Sequence, residues 1–415
     1  MKSRNNILMI GYTNYETDPR VIREAEAAIQ AGFDVDFLAL RRKNDPPHEV
    51  VRGVTVIHLN QSRYRGSKHA SYLIEYAKFF FRCFVKSTLL HLRRRYSVIH
   101  VNNMPDFLVF STILAKLMGA KILLDIHDPM PDTFASKFKS GNGGFFYKLL
   151  LWQERLSASY ADRVLTVHEP VKEGILVKHG LRRDAIDVIS NFADEQLFQF
   201  REQPPINGKI RLIFHGTILE RYGLRKLMLA LSKIRNRDKV FVTIIGEGDF
   251  SSRLAEMIRS LRLQDFVVFD NKSYPVTDIP GRIANCHLGL VPLEISSITN
   301  YALPLKLIEY ISMGIPVLTV RSAAISYYFG ELDCLFYDPA SVESLAAAID
   351  KVADHPEILM EYHERAKRLR DKFAWNKERD KYAGLLRELS SDVKSAAPAP
   401  AMPKPEEHEY GIRRS

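Results

Sequence analysis

Apolar runs alternate with amphipathic stretches along the first part of the chain. Residues 7–11 form a short apolar run that ends in glycine, and 19–31 then place apolar residues at helical spacing before Gly32. A short continuous apolar run is typical of a strand buried in a parallel sheet, and a period of 3.6 residues is typical of a helix packed against one. The next run, 35–40, completes a β-α-β unit, whose crossover is expected to be right-handed.

The alternation continues and then restarts after a looser segment. Further strands are predicted in the first half of the chain at 98–101, 121–126, 163–167 and 185–189, with a helix at 107–118. Around 195–208 two prolines and a glycine interrupt the pattern, as in a linker between domains. A second series of strands and helices then runs from 210 to 320. Two separate series of this kind predict an α/β protein with two Rossmann-like, doubly wound parallel-sheet domains.

The length of 415 residues also suits two domains rather than one. We predict an N-terminal domain at 1–200 and a second domain at 206–372. The last segment, 391–415, turns to alanine, proline and charged residues, and it is predicted to be disordered because it cannot bury enough apolar surface to fold.

Charge and cysteine usage narrow the class of protein. The formal net charge of +10 favours an anionic partner, and nucleic acid, a lipid surface and a phosphorylated substrate all have the right sign. The three cysteines lie far apart and show no disulfide or metal-ligand spacing, which is typical of a reducing compartment. The first residues lack the apolar core of a signal peptide, and no uncharged apolar run is long enough to span a membrane. A cytoplasmic protein is therefore expected.

The most informative motif is YALPLKLIEYISMGIPVLTV at 301–320. Its first part predicts a helix with one apolar face that ends at Gly314, before a buried strand. Glu309 lies on this helix, on the side from which α/β domains bind ligands. An ionised carboxylate only accepts hydrogen bonds, so Glu309 can hold both hydroxyls of a ribose. The alternative is a solvated helical glutamate.

Two glycine-containing turns precede this motif. In FHGTILERYGL a predicted strand ends at Gly216 and Thr217, and a helix follows. Backbone N–H groups at the start of a helix bind anions, and the guanidinium of Arg221 can take a phosphate with two hydrogen bonds. In IIGEGDF another turn contains Gly246, which either contributes to the same site or only shapes the turn.

In this order the motifs resemble the donor-binding domain of the retaining glycosyltransferases of family 4, which have the GT-B fold. In the N-terminal half, DPRVIREAEAAIQAGFDV, LLDIHD and VISNFAD also resemble segments of that family, as does WNKERDKYAGLLREL near the end. The resemblance covers about residues 5–390. It implies two domains that face each other across a cleft, with a last helix at about 373–390 that crosses back to the N-terminal domain.

The resemblance also implies roles for particular residues. Glu309 corresponds to the family's ribose-binding glutamate, and Arg221 to the basic residue that binds the donor diphosphate. His127 of LLDIHD corresponds to a histidine at the cleft, near the transferred sugar. The remaining predicted donor-binding residues are Gly216, Thr217, Gly246 and Lys306.

Two places depart from the family pattern. Tyr301 stands where the family often has a first glutamate that contacts the transferred sugar, eight residues before the ribose-binding one. Thr217 and Tyr222 stand where the phosphate loop usually has an arginine and a lysine. The positive charge for the diphosphate is therefore expected mainly from Arg221, from the helix start and from Lys306.

His127 itself allows two interpretations from its position. It follows a predicted strand between Asp125 and Asp128, so it is either a functional histidine at the carboxyl end of that strand or a hydrogen-bonded strand-end residue. The thirteen histidines show no metal-ligand spacing. The carboxylates of Asp34 and Asp36 share one face of a predicted strand and favour a strand-edge pair over a metal site. No metal and no cofactor are expected.

Residues 72–95 predict a helix with clustered aromatic side chains and a basic end. Such a helix is either part of the core of the N-terminal domain or an interfacial helix on an anionic membrane surface. The second interpretation would place the protein at the inner face of the cytoplasmic membrane.

These observations together predict a glycosyltransferase, and the resemblance implies that it retains the anomeric configuration and needs no metal. It would move a sugar from a nucleotide-diphosphate sugar to a saccharide or lipid-linked acceptor, in the synthesis of a cell-surface polysaccharide or glycolipid. A nucleotide-sugar epimerase of the same fold is one alternative. A basic nucleic-acid-binding protein is another, but the sequence contains no recognised nucleic-acid-binding module, and no nucleic-acid partner is expected.

Overall fold

The computed structural model describes residues 5–62, 64, 69–138 and 144–395, which form two α/β domains. In the N-terminal domain eight strands form one sheet in the order β3-β4-β2-β1-β5-β6-β7-β8. These strands are β1 (Asn6–Gly11), β2 (Asp34–Leu40), β3 (His48–Val51), β4 (Val54–Leu59), β5 (Val98–Asn102), β6 (Lys121–Asp125), β7 (Arg163–Thr166) and β8 (Ile186–Val188). The helices of this domain are α1 (Pro19–Gln30), α2 (His69–Arg94), α3 (Ile113–Leu117), α4 (Met130–Phe138), α5 (Phe145–Tyr160) and α6 (Glu169–Val171).

In the C-terminal domain six strands form a second sheet in the order β11-β10-β9-β12-β13-β14. They are β9 (Ile210–His215), β10 (Val240–Ile245), β11 (Val267–Asp270), β12 (Leu288–Val291), β13 (Val317–Val320) and β14 (Leu335–Tyr337). The helices that follow are α7 (Leu224–Lys233), α8 (Ser251–Ser260), α9 (Ile279–Ile283), α10 (Leu305–Ser312), α11 (Ala323–Tyr328), α12 (Val342–Asp354), α13 (Ile358–Leu369) and α14 (Trp375–Ser395).

The predicted pair of parallel sheets is confirmed, with one exception at an edge. Neighbouring strands run parallel in both sheets, but β3 pairs antiparallel with β4. Neither β3 nor β4 is among the predicted strands: β3 is a half-exposed four-residue edge strand, whereas β4 is a largely buried strand whose apolar residues were not predicted to form one. Arg52 and Gly53 connect the two strands, and Gly53 adopts a positive φ of +85°, which glycine tolerates.

The predicted helix at 107–118 is also less regular than its pattern indicates. It begins as a 3₁₀ segment, Asp106–Thr112, and becomes α-helical only in α3. Both α2 and α5 pack against this 3₁₀ segment, which therefore lies between them on one face of the N-terminal sheet.

The last helix returns from the second domain to the first. α14 contains the predicted crossing helix and packs against α1 on the other face of the N-terminal sheet. Tyr382, Leu385, Leu386 and Leu389 are buried there among apolar residues of β1 and β2. Burying large apolar side chains stabilises such a return by roughly 1.5–3 kcal/mol for each residue.

α14 is longer than predicted. Residues 391–395, predicted to belong to a disordered tail, continue the helix to Ser395. The rest of that predicted tail, 396–415, lies outside the described residues.

The two domains contact each other through segments that follow β7 and β12. The backbone N–H of Leu303 donates to Nε2 of His168 at 3.2 Å, and the ring of Tyr301 packs on Gly174. None of the helices in the described ranges combines the length and apolar character needed to cross a bilayer.

Candidate active site

Glu309 lies in the middle of α10 and is buried against the carboxyl end of β9. Its Oε2 atom is 3.2 Å from Nε2 of His215, the last residue of that strand. Tyr310 fixes the two elements together, because its hydroxyl donates to the carbonyl of Ile213 and accepts the backbone N–H of His215, both at 3.2 Å. Burial lowers the pKa of His215 to about 3 and raises the pKa of Glu309 to about 7. The site therefore holds a neutral imidazole beside a carboxyl group that titrates near neutrality.

Lys306, one helical turn before Glu309, carries a buried ammonium group. Its Nζ lies 3.6 Å from the ring centroid of Phe214 and 4.8 Å from that of Tyr222. This Nζ is shielded from solvent and has no hydrogen-bond partner among the described residues. Burial lowers the pKa of Lys306 to about 7, although Glu309 acts in the opposite direction. Two aromatic faces compensate only part of the lost hydration, so the ammonium is in position to bind an anion.

The predicted glycine turns form the floor beside this ammonium. Gly216 and Gly246 have φ angles of +113° and +143°, and a Cβ on Gly246 would overlap the carbonyl oxygen of Gly216. The backbone N–H of Gly216 donates to Ile245 at 3.0 Å and that of Gly246 to Asp270 at 3.1 Å. Both glycines therefore shape the turns by close approach, and neither offers its N–H to a ligand. Thr217, on the same loop, is exposed.

Arg221 lies at the rim of the site rather than inside it. Its side chain is exposed, and its guanidinium carbon is 5.4 Å from the ring centroid of Tyr222, the same ring that Lys306 contacts. The predicted donor residues Gly216, Arg221, Lys306 and Glu309 are thus brought together around β9 and α10. The buried positive charge of the site is that of Lys306, whereas the sequence predicts Arg221 as the main source of positive charge for the diphosphate.

His127 follows β6 in the N-terminal domain and is half-buried between two acidic residues. Its Nδ1 is 3.5 Å from Oδ2 of Asp125, and its Nε2 is 3.8 Å from Oδ2 of Asp128. Its backbone N–H donates to Oδ1 of Asn103 at 3.3 Å. Burial opposes the ionised form of Asp125, but His127 and Arg20 hold the pKa of this carboxyl below its usual value. The imidazole is therefore oriented by a carboxylate and keeps one edge open to solvent.

Behind His127 lies a buried polar cluster that the sequence did not indicate. Ligand atoms of Glu24, His100 and Asp125 lie within 4.8 Å of one another, a group that can hold a small cation or a water molecule. Nδ1 of His100 is 2.8 Å from the hydroxyl of Tyr382 on α14. Burial raises the pKa of Glu24 well above its usual value, and Arg20 supplies positive charge 3.7 Å from Asp125. The sequence does not indicate Glu24 or His100 as site residues, because Glu24 is one polar position of a regular helix, α1, and His100 is one polar position of a regular strand, β5.

A third residue that the sequence did not indicate is Arg23 of α1. Its guanidinium donates to Oδ1 of Asn191 and to the backbone carbonyl of Phe192, in the segment that joins the domains. Its charge also favours the ionised form of Glu309. The helix pattern and the family resemblance of this segment do not single out Arg23, and only the fold shows that this face of α1 meets the interdomain segment.

Tyr301 forms a contact between the domains. Its ring lies where a Cβ on Gly174 would collide with it, and its hydroxyl accepts a hydrogen bond from Nζ of Lys178 at 3.3 Å. At the position of the family's first glutamate, this chain therefore has an aromatic residue that packs on the opposite domain.

Two family descriptions match successive parts of the chain. "Glycosyl transferase 4-like domain" matches residues 18–191, and "Glycosyl transferases group 1" matches 196–369. A chitobiosyldiphosphodolichol beta-mannosyltransferase of Debaryomyces hansenii is 21% identical over 252 residues, which are 54% of this chain and 53% of that protein. An exopolysaccharide phosphotransferase of Streptomyces coelicolor is 26% identical over 239 residues, 57% of this chain and 24% of that protein. The chain matches about half of the first relative's length and a quarter of the second's.

Solved structures show the fold over nearly the whole chain. Sucrose-phosphate synthase from Thermosynechococcus elongatus superposes with a TM-score of 0.74 at 19% identity, covering 94% of this chain and 100% of that one. HepE of Anabaena in complex with UDP-glucose superposes with a TM-score of 0.69 at 13% identity, covering 92% and 99%. The two domains have the GT-B arrangement that the sequence motifs imply. With both halves matched by family descriptions in the expected order, the chain belongs to the group 1 glycosyltransferases.

Proposed function

We propose that this glycosyltransferase takes its sugar from a nucleotide-diphosphate sugar bound to the C-terminal domain. The observation that carries the proposal is the buried ammonium of Lys306, which has no hydrogen-bond partner in the described residues and lies beside Phe214 at the end of β9. A diphosphate placed there provides the missing counter-charge, and Glu309, one turn later, is in position to accept the ribose hydroxyls. The Anabaena neighbour in complex with UDP-glucose supports a donor of this class.

In the proposed mechanism, negative charge grows on the leaving diphosphate as its bond to the sugar breaks. Lys306, Arg221 at the rim and the start of α7, the helix that follows the first glycine turn, stabilise this charge. His127, at the carboxyl end of β6 in the other domain, contacts and orients the transferred sugar. Closure of the cleft excludes water, which would otherwise hydrolyse the donor. The sugar keeps its anomeric configuration, and no metal ion takes part.

A thermal-shift screen of nucleotide sugars tests the donor class, because a bound donor stabilises the folded protein by mass action. We expect one nucleotide sugar to raise the Tm of the wild type. The shift should be much smaller for Lys306→Met and for Glu309→Ala, and unchanged for Lys272→Met, which alters an exposed lysine of the same domain. A wild-type protein whose Tm responds to no nucleotide sugar would refute the proposal.

The stereochemistry and the metal independence need a second measurement. NMR of the product should show the anomeric configuration of the donor, and EDTA should leave the rate unchanged. An inverted product, or a rate lost with EDTA and restored by a divalent cation, would overturn these two features. Incubation of the donor without acceptor separates the alternative, because an epimerase would release an epimerised nucleotide sugar.

We further propose that the acceptor is lipid-linked and that the N-terminal domain rests on a membrane surface. Fifteen of the 22 exposed large apolar side chains in the described residues lie on one side of this domain. They are Leu73, Ile74, Phe81, Val85, Leu89 and Leu92 of α2, Ile113, Leu114, Leu117 and Met118 in and after α3, and Phe145, Phe146, Leu149, Trp152 and Leu156 of α5. Since α2 and α5 flank one 3₁₀ segment, these side chains form one apolar surface, of a size that monomers rarely expose to water.

Basic residues flank the apolar stripe of α2. At 3.6 residues per turn, Ile74, Phe81 and Val85 fall on one line along the helix, and Lys78 and Arg82 fall on the neighbouring line. Apolar and basic lines side by side are typical of an interfacial helix that is attracted to anionic lipids. The relative whose name specifies a chitobiosyldiphosphodolichol as its acceptor supports a lipid-linked acceptor.

Sedimentation with vesicles of phosphatidylcholine and phosphatidylglycerol tests this surface. The wild type should bind at low salt and more weakly at high salt, because salt screens surface charge. Serine at Phe81 and Trp152, which are 65% and 60% exposed, should reduce binding at least about tenfold. Serine at Leu332 and Met360, exposed apolar residues of the other domain, should not. Wild-type protein that stays in the supernatant at low salt would contradict the proposal.

A further inference from the structure

A basic pocket of about 570 Å³ lies in the N-terminal domain, away from the proposed donor site. Its walls come from the segments that directly follow β2 and β4, at the carboxyl ends of these strands, and from the first half of α2. Glu75 is the one acidic residue of its lining. The basic residues of its lining are Arg41, Arg42, Lys43, Lys78 and Arg82.

Two of these five positive charges already have acidic partners. Nε of Arg42 lies 2.9 Å from Oδ1 of Asp45, and its guanidinium also bonds to Glu16. Nζ of Lys78 lies 2.8 Å from Oε1 of Glu75. These pairs neutralise part of the pocket, and they hold the two side chains in place at its edge.

The other three basic side chains form no ion pair with any residue in the part of the chain that the structure describes. Arg82 donates to the carbonyl of Asn60 and Arg41 to a neighbouring backbone carbonyl, so both guanidinium groups are oriented while their charges stay uncompensated. Lys43 is exposed beside them. Gln61 connects the two walls of the pocket. Its side-chain NH2 donates to Glu75, and its backbone carbonyl accepts the backbone N–H of Arg41 at 2.9 Å. The result is a preformed pocket with an excess of positive charge.

The pocket and His127 lie at the same edge of the sheet. β2, which leads into the pocket, is separated from β6, which leads into His127, by β1 and β5. Three steps between neighbouring strands at about 4.8 Å each separate the end of β2 from the end of β6 by roughly 14 Å. One elongated acceptor can therefore present a hydroxyl at His127 and an anionic group in the pocket.

We propose that this pocket binds the phosphate or diphosphate group of the acceptor. The inference rests on the proposed transfer to a lipid-linked acceptor, and it adds the place at which the anionic part of that acceptor is held. Guanidinium and ammonium groups together give charge-assisted hydrogen bonds to phosphate oxygens. Lys78 and Arg82 of the pocket wall lie on the line of α2 next to the apolar line of Ile74, Phe81 and Val85, so a lipid attached to the phosphate would reach the apolar surface.

Titration with inorganic diphosphate by calorimetry tests the pocket without any donor. The starting protein is Lys306→Met, which removes the buried cation of the donor site and leaves the pocket as the expected diphosphate site. Adding Arg41→Gln and Lys43→Gln, which remove two charges that form no ion pair in the described residues, should weaken diphosphate binding at least about tenfold, since two charge-assisted contacts are lost. Arg41 loses one hydrogen bond to the backbone carbonyl of Asp45, so the Tm should fall by only a few degrees. The matched control replaces Arg259 and Lys272, two exposed basic residues of the other domain, by Gln and should bind diphosphate as the starting protein does.

Vesicle sedimentation of the double variant Arg41→Gln with Lys43→Gln, with Lys306 intact, separates an acceptor phosphate from a lipid headgroup, because neither residue lies on the basic line of α2. Lost diphosphate binding with vesicle binding retained supports the proposal. Lost vesicle binding, with or without lost diphosphate binding, would assign the pocket to lipid headgroups and contradict the proposal. A diphosphate affinity equal to that of the control variant would contradict it as well. The donor screen is independent of this titration, so a failure of the proposed donor chemistry would show there and leave the diphosphate result unaffected.

Discussion

Two groups of buried charges, one in each domain, are built in opposite ways. In the N-terminal domain Nε2 of His179 lies 3.0 Å from Asp132 and Nδ1 lies 2.6 Å from Glu154. In the C-terminal domain Nζ of Lys306 is buried over two aromatic rings without a hydrogen-bond partner in the described residues. Burial opposes the charged form in both places, yet the two carboxylates raise the pKa of His179 to about 9, whereas that of Lys306 is lowered to about 7. Partners make a buried charge stabilising, and their absence leaves it available to an anionic ligand.

The paired group in the N-terminal domain also supports the proposed site indirectly. Asp132 and Glu154 belong to α4 and α5, so His179 ties these helices to the segment after β7. Asp106, buried near Glu154, has its pKa raised to about 8 by burial and by that carboxylate. The side-chain NH2 of Asn103 donates to Asp106 at 2.9 Å, and its side-chain oxygen accepts the backbone N–H of His127. The cluster is therefore a framework for the proposed acceptor side, whereas the ammonium of Lys306 is itself the proposed binding group.

The sharpest test of this contrast is Lys306→Met. Loss of a charge-assisted phosphate contact should weaken donor binding by roughly 1.5–3 kcal/mol, about 10- to 150-fold. The same change removes an unpaired buried charge, so the free energy of unfolding at pH 7 should rise by roughly 1–3 kcal/mol. Calorimetry with the donor and urea denaturation measure the two quantities. A variant that is destabilised, or that binds the donor normally, would show that Lys306 is structural.

His179→Gln should have the opposite profile. The raised pKa of His179 means that its ion pairs stabilise the fold fully below the unfolded value of about 6.5, and that this stabilisation is lost as pH rises through about 9. We expect the variant to lose roughly 2–3 kcal/mol of unfolding free energy at pH 6 and much less at pH 9.5. Donor affinity should stay at the wild-type value. Equal destabilisation at both pH values would remove the ion pairs as the cause.

The pH dependence of donor affinity provides a smaller, graded test. Above pH 7 Lys306 loses the proton that a diphosphate requires, and below pH 7 Glu309 gains a proton and loses an acceptor site for a ribose hydroxyl. Affinity for a nucleotide sugar should therefore be highest near pH 7 and fall by up to about tenfold per pH unit on either side. Lys306→Met should flatten the alkaline limb and Glu309→Gln the acid limb. A wild-type affinity that does not change between pH 5.5 and 8.5 would contradict both assignments.

The smallest effect is expected at Arg221. Since its guanidinium is exposed at the rim, solvent screens its charge, and Arg221→Ala should weaken donor binding by about 1 kcal/mol or less, a few-fold. Arg221→Lys should restore only part of this loss, because the planar pair of donors is missing. If Arg221→Ala weakens donor binding more than Lys306→Met does, the order inferred from burial is wrong.

Continuous motifs were predictable because their interactions are local. The helix of α10, its end before Gly314 and the buried strand β13 all follow from the apolar spacing within 301–320, and the structure contains each of them. The edge strand β3 and the 3₁₀ start of Asp106–Thr112 were not predictable in the same way. Their backbone conformation depends on neighbouring strands and helices rather than on the pattern of their own side chains.

The features of the candidate site also fall into two groups, those that follow from local sequence and those that depend on tertiary packing. The sequence alone indicated Glu309, Lys306 and the glycine turns as donor residues, since one helix and two strand ends carry them. It determined two α/β domains, their order and the family to which the chain belongs. Only the tertiary structure decided that the ammonium of Lys306 is buried with no hydrogen-bond partner in the described residues, while Arg221 is exposed. The physical reason is that burial and pairing depend on side chains that are far apart in the chain. Phe214 and Tyr222 enclose the ammonium of Lys306, and Arg23 reaches the interdomain segment from α1. In the same way, α2 and α5 pack against one 3₁₀ segment and together form the apolar surface.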